Sequence, residues 1–184
     1  KNICKNFVRI LGGDIFVKNL RGILWEMFVG FFTPAGGYKT NSEFMKVGIF
    51  IVGAPKAGTT SLHYYLNEHS EILMSSMKEP DFFLEKEIDD IGLYYGTTRI
   101  ETFEKYHNLF SDKKDEEIFG ESSVSYLYYP EVPKRIKEYN TEAKIIIMHR
   151  NPVDRAFSHY LMDFKLGLLS DKFEDVFNKK EGLK

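Results

Sequence analysis

Two stretches of the chain are almost continuously apolar and rich in β-branched residues. They are residues 47–52 (VGIFIV) and 143–148 (AKIIIM). Such runs are typical of strands that are buried on both faces, as in a parallel sheet. Shorter runs at 72–74 and 118–119 predict two further strands, and helical spacings follow at 61–66, 103–110, 130–139, 152–161 and 173–177. This alternation of strand, turn and helix predicts a three-layer α/β domain with a central parallel sheet flanked by helices.

Residues 1–46 show a different pattern. Apolar residues recur at helical spacing with basic residues between them, and the Pro-Ala-Gly-Gly sequence at 34–37 is typical of a linker. We therefore expect a helical lead-in over residues 1–46 that precedes an α/β domain over 47–184. The lead-in packs on the core or on a partner, or lies on a membrane surface as an interfacial helix. Its longest uncharged run, 27–38, is too short to span a bilayer.

Composition narrows the possible partners. The 184 residues suffice for one domain with a core, and the net charge of −2 gives no general attraction to nucleic acid. The single cysteine, Cys4, excludes an intramolecular disulfide framework. Because no Cys/His cluster has zinc spacing, we expect no metal. Because the net charge is slightly negative, we expect no nucleic-acid partner.

The strongest candidate for chemistry is the segment 53–61 (GAPKAGTTS), which joins the first buried strand to a helix. Glycines in such a turn let backbone N–H groups approach an anion, and the helix dipole favours negative charge there. In the ATPase P-loop a lysine directly follows the second glycine. Here Thr59 stands at that position and Lys56 lies two residues before the glycine. The loop predicts a metal-independent phosphate site, with a P-loop nucleotide kinase as the alternative.

Two further candidates follow other strands. Pro80 disfavours helical backbone at Glu79, so we expect this carboxylate on a loop or strand exit, although a surface Lys-Glu pair is the simpler interpretation. Arg150 emerges at the carboxyl end of the strand 143–148, and Ser158 lies about two helical turns later. This pair can hold a second phosphate, or Arg150 can form a structural ion pair with Asp154.

Together these segments resemble the sulfotransferase family that uses PAPS (3′-phosphoadenylyl sulfate). Residues 53–61 resemble its 5′-phosphosulfate loop, and 146–160 resemble its 3′-phosphate motif. Residues 78–83 (KEPDFF) and 120–127 (GESSVSYL) are similar to two blocks of the branch that contains heparan sulfate N- and 3-O-sulfotransferases and bacterial enzymes. The resemblance implies a P-loop-like fold. It also implies transfer of a sulfuryl group, without metal, to a hydroxyl or amine of a carbohydrate or other small acceptor, with PAP as the product.

The resemblance also implies roles for matching residues. Lys56 would contact the 5′-phosphate and the bridging oxygen, and Glu79 matches the general base of the heparan branch. The 3′-phosphate would be held by Arg150 and Ser158. The implied set of cofactor-binding residues is Lys56, Ala57, Gly58, Thr59, Thr60, Ser61, Arg150 and Ser158.

The chain departs from the family at two positions. Ser122 stands where the heparan enzymes often carry a lysine, and Asp81 stands where some relatives have a histidine. With Glu121, these two residues are our candidates for the substrate side, although Glu121 and Ser122 can equally cap the next element.

The sequence also leads to expectations about the length of the domain, its catalytic activity and its cellular location. The family's domain usually continues further, so we expect 47–184 to lack the usual C-terminal part. A non-catalytic nucleotide-binding module therefore stays an alternative. We expect a cytoplasmic location, with a membrane-associated or Golgi-lumen location as the alternative, and the sequence leaves the oligomeric state open.

Overall fold

A computed structural model describes residues 7–11, 46–84, 87, 100–112 and 118–178, with 7–11 and 177–178 described by their backbone only. The strands are β1 (Phe7–Leu11), β2 (Ile49–Gly53), β3 (Ile72–Met74), β4 (Ile118–Ser122) and β5 (Lys144–His149). The α-helices are α1 (Thr59–Asn67), α2 (Phe103–His107), α3 (Val132–Tyr139), α4 (Pro152–Lys165) and α5 (Phe173–Asn178). Short 3-10 helices cover Asn108–Phe110 and Val124–Tyr128.

The described strands form one sheet in the order β1-β5-β2-β4-β3. The pairs β5–β2, β2–β4 and β4–β3 are parallel, and β1 runs antiparallel to β5 at the edge. β2 is buried throughout because Ile49 and Ile51 face the α1 side, whereas Phe50 and Val52 face a second, aromatic-rich cluster. The predicted central parallel sheet between two layers is confirmed.

The helical prediction for residues 1–46 is wrong over β1. Residues 7–11 read Phe-Val-Arg-Ile-Leu, and this short apolar run pairs with β5 in the register Phe7↔His149 to Leu11↔Ile145. A short apolar run fits either secondary structure, and here pairing with a distant strand edge decides the outcome. The rest of the predicted lead-in, with its predicted membrane contact, lies outside the described residues apart from Lys46. Within the described part of the chain, no helix is long and apolar enough to cross a membrane.

The parallel strands place the sequence motifs at one edge of the sheet. The segment 53–61 begins at the end of β2, Arg150 follows β5, and residues 121–125 lie at the end of β4. The segment that carries Glu79 follows β3. All four motifs thus follow the carboxyl ends of neighbouring parallel strands, where open α/β sheets bind ligands.

Candidate active site

The connection between β2 and α1 has the backbone shape of an anion-binding loop. Gly58 is the N-cap of α1 and has a φ of 100°, and Lys56 also has a positive φ, 63°. Among the described residues no side chain caps α1, and its first turn contains no acidic residue. The N–H groups of that turn and the positive end of the helix dipole therefore remain available to an anionic ligand.

Close contacts hold this loop against the sheet. The backbone N–H of Ala54 donates to the carbonyl of Met148 in β5 at 3.0 Å. Gly53 has a φ of 146°, and a Cβ at this position would lie 3.0 Å from Leu127 Cδ2 and 3.2 Å from the carbonyl oxygen of Val124. Glycine is therefore required at the end of β2, where the loop passes over the 3-10 helix that follows β4.

Two cationic residues meet at the loop. Arg150 Nη1 donates to the backbone carbonyl of Lys56 at 3.1 Å, and both residues are half-buried. The Lys56 ammonium forms no ion pair with any residue that the structure describes. The positive charge of Lys56 is therefore available to an anionic ligand.

Ser158 lies half-buried on the second turn of α4. The helix begins directly after the site because Pro152 occupies its first turn and Asn151 caps it. The Asn151 side chain accepts hydrogen bonds from Val153 N at 2.9 Å and Asp154 N at 3.3 Å. This capping fixes the direction in which α4 leaves β5 and thereby the position of Ser158.

Glu79 lies on the loop after β3, as the neighbouring proline predicts. Its Oε1 is 2.6 Å from Lys78 Nζ, and its Oε2 accepts a hydrogen bond from Val124 N at 2.9 Å. Its own N–H donates to the carbonyl of Ser122 at 2.9 Å. The Lys-Glu pair is thus present, but its side chains are only 28% and 27% exposed, so it is not a freely solvated surface pair.

The expectation that Asp81, Glu121 and Ser122 face a substrate does not fit their burial. They are 5%, 0% and 0% exposed, respectively, so an acceptor could not reach them without opening of the surrounding structure. Burial raises the pKa of Glu121 to about 8, although nearby hydroxyls, Tyr126 first, oppose the rise. Burial also raises the pKa of Asp81 to about 6, against a hydrogen bond from Ser125.

Sequence reasoning missed His63, which the structure places beside the site. His63 lies on α1 with 5% exposure, and its Nδ1 is 2.8 Å from Ser122 Oγ. Burial, and then the charge of Lys78, lower its pKa, so the neutral imidazole is favoured. The available signal was the helical spacing, because His63 lies four residues after Thr59 and therefore on the same face of α1.

Metal ligands are not grouped in the described part of the chain. No three His, Cys, Asp or Glu side chains there are arranged to hold a metal ion. The prediction of a metal-independent reaction remains a prediction.

The fold and the loop define a P-loop-like α/β domain with a candidate anion site at the carboxyl edge of its sheet. The family model described as "Sulfotransferase domain" matches residues 47–182. The chain therefore belongs to the sulfotransferase family, which confirms the resemblance seen in the sequence.

Several relatives support this assignment. A sulfotransferase from Alicyclobacillus acidocaldarius, known from a crystal structure, is 36% identical with a TM-score of 0.66, over 75% of this chain and 58% of that chain. The membrane-associated sulfotransferase kil1 of Dictyostelium discoideum is 31% identical over 60% of this chain and 21% of its own length. Mouse carbohydrate sulfotransferase 15 is 30% identical over 71% of this chain and 29% of its own length. The chain thus spans less than a third of these two curated relatives.

Proposed function

We propose that this protein transfers the sulfuryl group of PAPS to a hydroxyl or amine group of a carbohydrate or other small acceptor. The observation that carries the proposal is that the phosphate loop, Arg150 and Glu79 all follow the carboxyl ends of parallel strands in one sheet. The acceptor class is supported by the relatives, which include proteins named carbohydrate sulfotransferase 15 and, at 34% identity, mouse heparan sulfate glucosamine 3-O-sulfotransferase 6.

The donor groups of the site fit a ligand with two separate anionic ends. Backbone N–H groups, hydroxyls and one ammonium surround the uncapped start of α1, and this set suits a phosphosulfate. The guanidinium of Arg150 and the hydroxyl of Ser158 suit a separate phosphate. The residues that would hold PAPS are Lys56, Ala57, Gly58, Thr59, Thr60 and Ser61 at the 5′ end, and Arg150 and Ser158 at the 3′ end.

Bound PAPS would supply the sulfuryl group. The acceptor oxygen or nitrogen would form a bond to its sulfur while the bond from sulfur to the bridging phosphate oxygen breaks, and PAP would depart with the electron pair of that bond. Lys56 stabilises the negative charge that develops on the departing phosphate oxygen, as preorganised cations do in phosphoryl transfer. Glu79 accepts the proton of the acceptor hydroxyl or amine. Lys78 and the N–H of Val124 hold its two carboxylate oxygens in a fixed direction before the proton arrives.

Other functions have less support. A P-loop nucleotide kinase requires a lysine at the position of Thr59, and the matching relatives described above are sulfotransferases. A non-catalytic module that binds PAP is the other alternative, and turnover distinguishes it from an enzyme. We also propose a cytoplasmic location, with association at a membrane as the alternative.

Radiolabelled PAPS tests the proposed function. The purified protein is incubated with labelled PAPS and a panel of glycans, aryl alcohols and tyrosine-containing peptides, beside the Glu79→Gln variant as the matched control. We expect label to be transferred to a glycan by the wild-type protein and not by the variant. PAP binding without transfer to any acceptor would instead favour the non-catalytic module.

A further inference from the structure

We propose that the buried side chains of Glu121 and Ser123 position Glu79 for proton transfer. Residues 78–83 are named the base loop, and residues 121–126 are named the clamp. Glu121 and Ser123 are positioning residues, because they act on Glu79 through the base loop and do not touch a substrate. The inference rests on the proposed function, in which Glu79 is the base.

The base loop has a backbone that needs outside support. Glu79 has a φ of 57° and Asp81 a φ of 50°, on either side of the buried Pro80. Residues with a Cβ rarely adopt this left-handed region, and they persist in it only where surrounding contacts determine the conformation. This loop can keep the Glu79 carboxylate in one position only if contacts from other residues fix the loop backbone.

The clamp supplies that support along the length of the base loop. At its start, Glu79 N donates to the carbonyl of Ser122 at 2.9 Å. Near its end, Phe83 N donates to the hydroxyl of Tyr126 at 3.1 Å. Pro80 has no N–H to donate. Between these two anchors, the amide of Asp81 donates to the side chain of Ser123.

Ser123 links that central amide to Glu121. Ser123 Oγ donates to Glu121 Oε2 at 3.2 Å and accepts from Asp81 N at 3.1 Å. A hydroxyl has one proton, so the carboxyl of Glu121 fixes the direction of that proton and turns a lone pair towards the Asp81 amide. All three residues are at most 5% exposed, so water is not available to replace a lost partner.

The same clamp also holds the Glu79 carboxylate. Val124, which donates its N–H to Glu79 Oε2 at 2.9 Å, directly follows Ser123. Ser125 comes next and donates its hydroxyl to Asp81 Oδ1. A shift of Ser123 therefore moves both the base loop and the donor that aims the carboxylate.

The test is the Ser123→Ala variant, which removes the central link and leaves the phosphate loop unchanged. We expect kcat to fall at least tenfold while the KM for PAPS and the Kd for PAP stay within twofold of wild type. The control is Asn140→Ala, which removes a part-buried amide that donates to the carbonyl of Val47 at 2.9 Å. Val47 lies just before β2, at the opposite end of the strand from the phosphate loop, so this variant should retain wild-type kcat.

Two further readouts separate positioning from a general loss of structure. Glu121→Gln keeps an oxygen that accepts from Ser123 and should retain kcat, whereas Glu121→Leu should lose it. Hydrogen exchange of the Asp81 amide, followed by NMR, should accelerate at least tenfold in Ser123→Ala. If Ser123→Ala does not fold, Ser123→Cys replaces it, because a thiol of similar shape is only a weak donor and acceptor, and the same separation of kcat from KM is expected.

The inference is overturned if Ser123→Ala, or Ser123→Cys in its place, keeps wild-type kcat. It is equally overturned if Asp81 exchange does not change, or if Glu121→Gln loses as much activity as Glu121→Leu. Failure of the proposed function gives a different result: either the wild-type protein would transfer no sulfuryl group, or Glu79→Gln would turn over at the wild-type rate. The exchange of the Asp81 amide would still test the clamp in both cases.

Discussion

Lys56 and Arg150 are joined in the structure through one hydrogen bond, and we propose that they bind different ends of PAPS. Arg150 Nη1 contacts the Lys56 carbonyl, which leaves the Lys56 ammonium to the phosphosulfate. Each residue would make charge-assisted contacts, which contribute roughly 1.5–3 kcal/mol. We therefore expect Lys56→Ala and Arg150→Ala each to weaken PAP binding by roughly 10- to 150-fold in calorimetry. Lys134→Ala, on the exposed surface of α3, is the control, and unchanged PAP affinity in both site variants would refute the assignment.

Glu79 is expected to act in the reaction and not in cofactor binding. Its carboxylate contacts Lys78 and Val124 and lies on the loop after β3, apart from the loop after β2. Glu79→Gln should therefore lower turnover by roughly 100-fold or more, the range for loss of a general base, and leave PAP affinity nearly unchanged. Steady-state rates and calorimetry on the same sample measure both. A parallel loss of affinity and turnover would count against Glu79 as the base.

At the residue scale the sequence predicts where Lys56 and Arg150 lie in the fold better than it predicts the buried contacts. Lys56 and Arg150 could be predicted because each lies next to a strong local signal, a glycine turn or the end of an apolar strand. The burial of Glu121 could not be predicted, because it depends on Tyr106 and Tyr126, which reach it from other elements. The contact of His63 with Ser122 likewise joins residues that are 59 positions apart.

At the scale of elements, the turn from β2 into α1 is tightly constrained at Gly53. Gly53→Ala would place a Cβ 3.0 Å from Leu127 Cδ2 and 3.2 Å from a backbone oxygen, at a φ of 146°. We expect a loss of about 3 kcal/mol or more in the free energy of unfolding, from backbone strain and overpacking together.

Gly167 offers a matched control for that substitution. It also has a positive φ, 74°, but a Cβ there would meet nothing within 4 Å. In denaturant unfolding, Gly167→Ala should therefore lower the free energy of unfolding by only about 1–2 kcal/mol, because a residue with a Cβ is strained at a positive φ. If Gly53→Ala and Gly167→Ala lower the free energy of unfolding equally, the close contacts at Gly53 do not add to the destabilisation.

The elements themselves were predictable where the pattern is long. β2 and β5 are continuous apolar runs, and α4 has a proline at its start and helical spacing after it. β1 was not predictable, because five apolar and basic residues carry no decisive period. Its strand conformation comes from pairing with β5, which lies far away in the sequence.

The stability of the whole molecule should depend on the protonation of Glu121. Its pKa is about 8 in the folded protein, against an ordinary value of 4.5, so the folded state binds more protons than the unfolded state between these values. The free energy of unfolding must then decrease as the pH rises from about 4.5 to about 8, by up to about 1.4 kcal/mol per pH unit. Asp81, with a pKa of about 6, acts in the same direction over a narrower range.

Glu121→Gln should flatten this dependence, because its amide cannot ionise. Denaturant unfolding of both proteins at about pH 5 and about pH 8.5 measures the effect. Relative to wild type, the free energy of unfolding of the variant should rise by on the order of a few kcal/mol between the lower and the higher pH. If the free energies of unfolding of the two proteins change equally with pH, Glu121 does not titrate within the folded core as proposed.

The central claim is that this α/β domain binds PAPS through two separate anion sites without a metal. The most direct measurement is a calorimetric titration of the purified protein with PAP in the presence of a chelator, beside a titration with Mg-ATP. We expect PAP to bind without metal, and Arg150→Ala to weaken this binding. Tight binding of Mg-ATP, with no detectable binding of PAP, would contradict the claim and favour a nucleotide kinase.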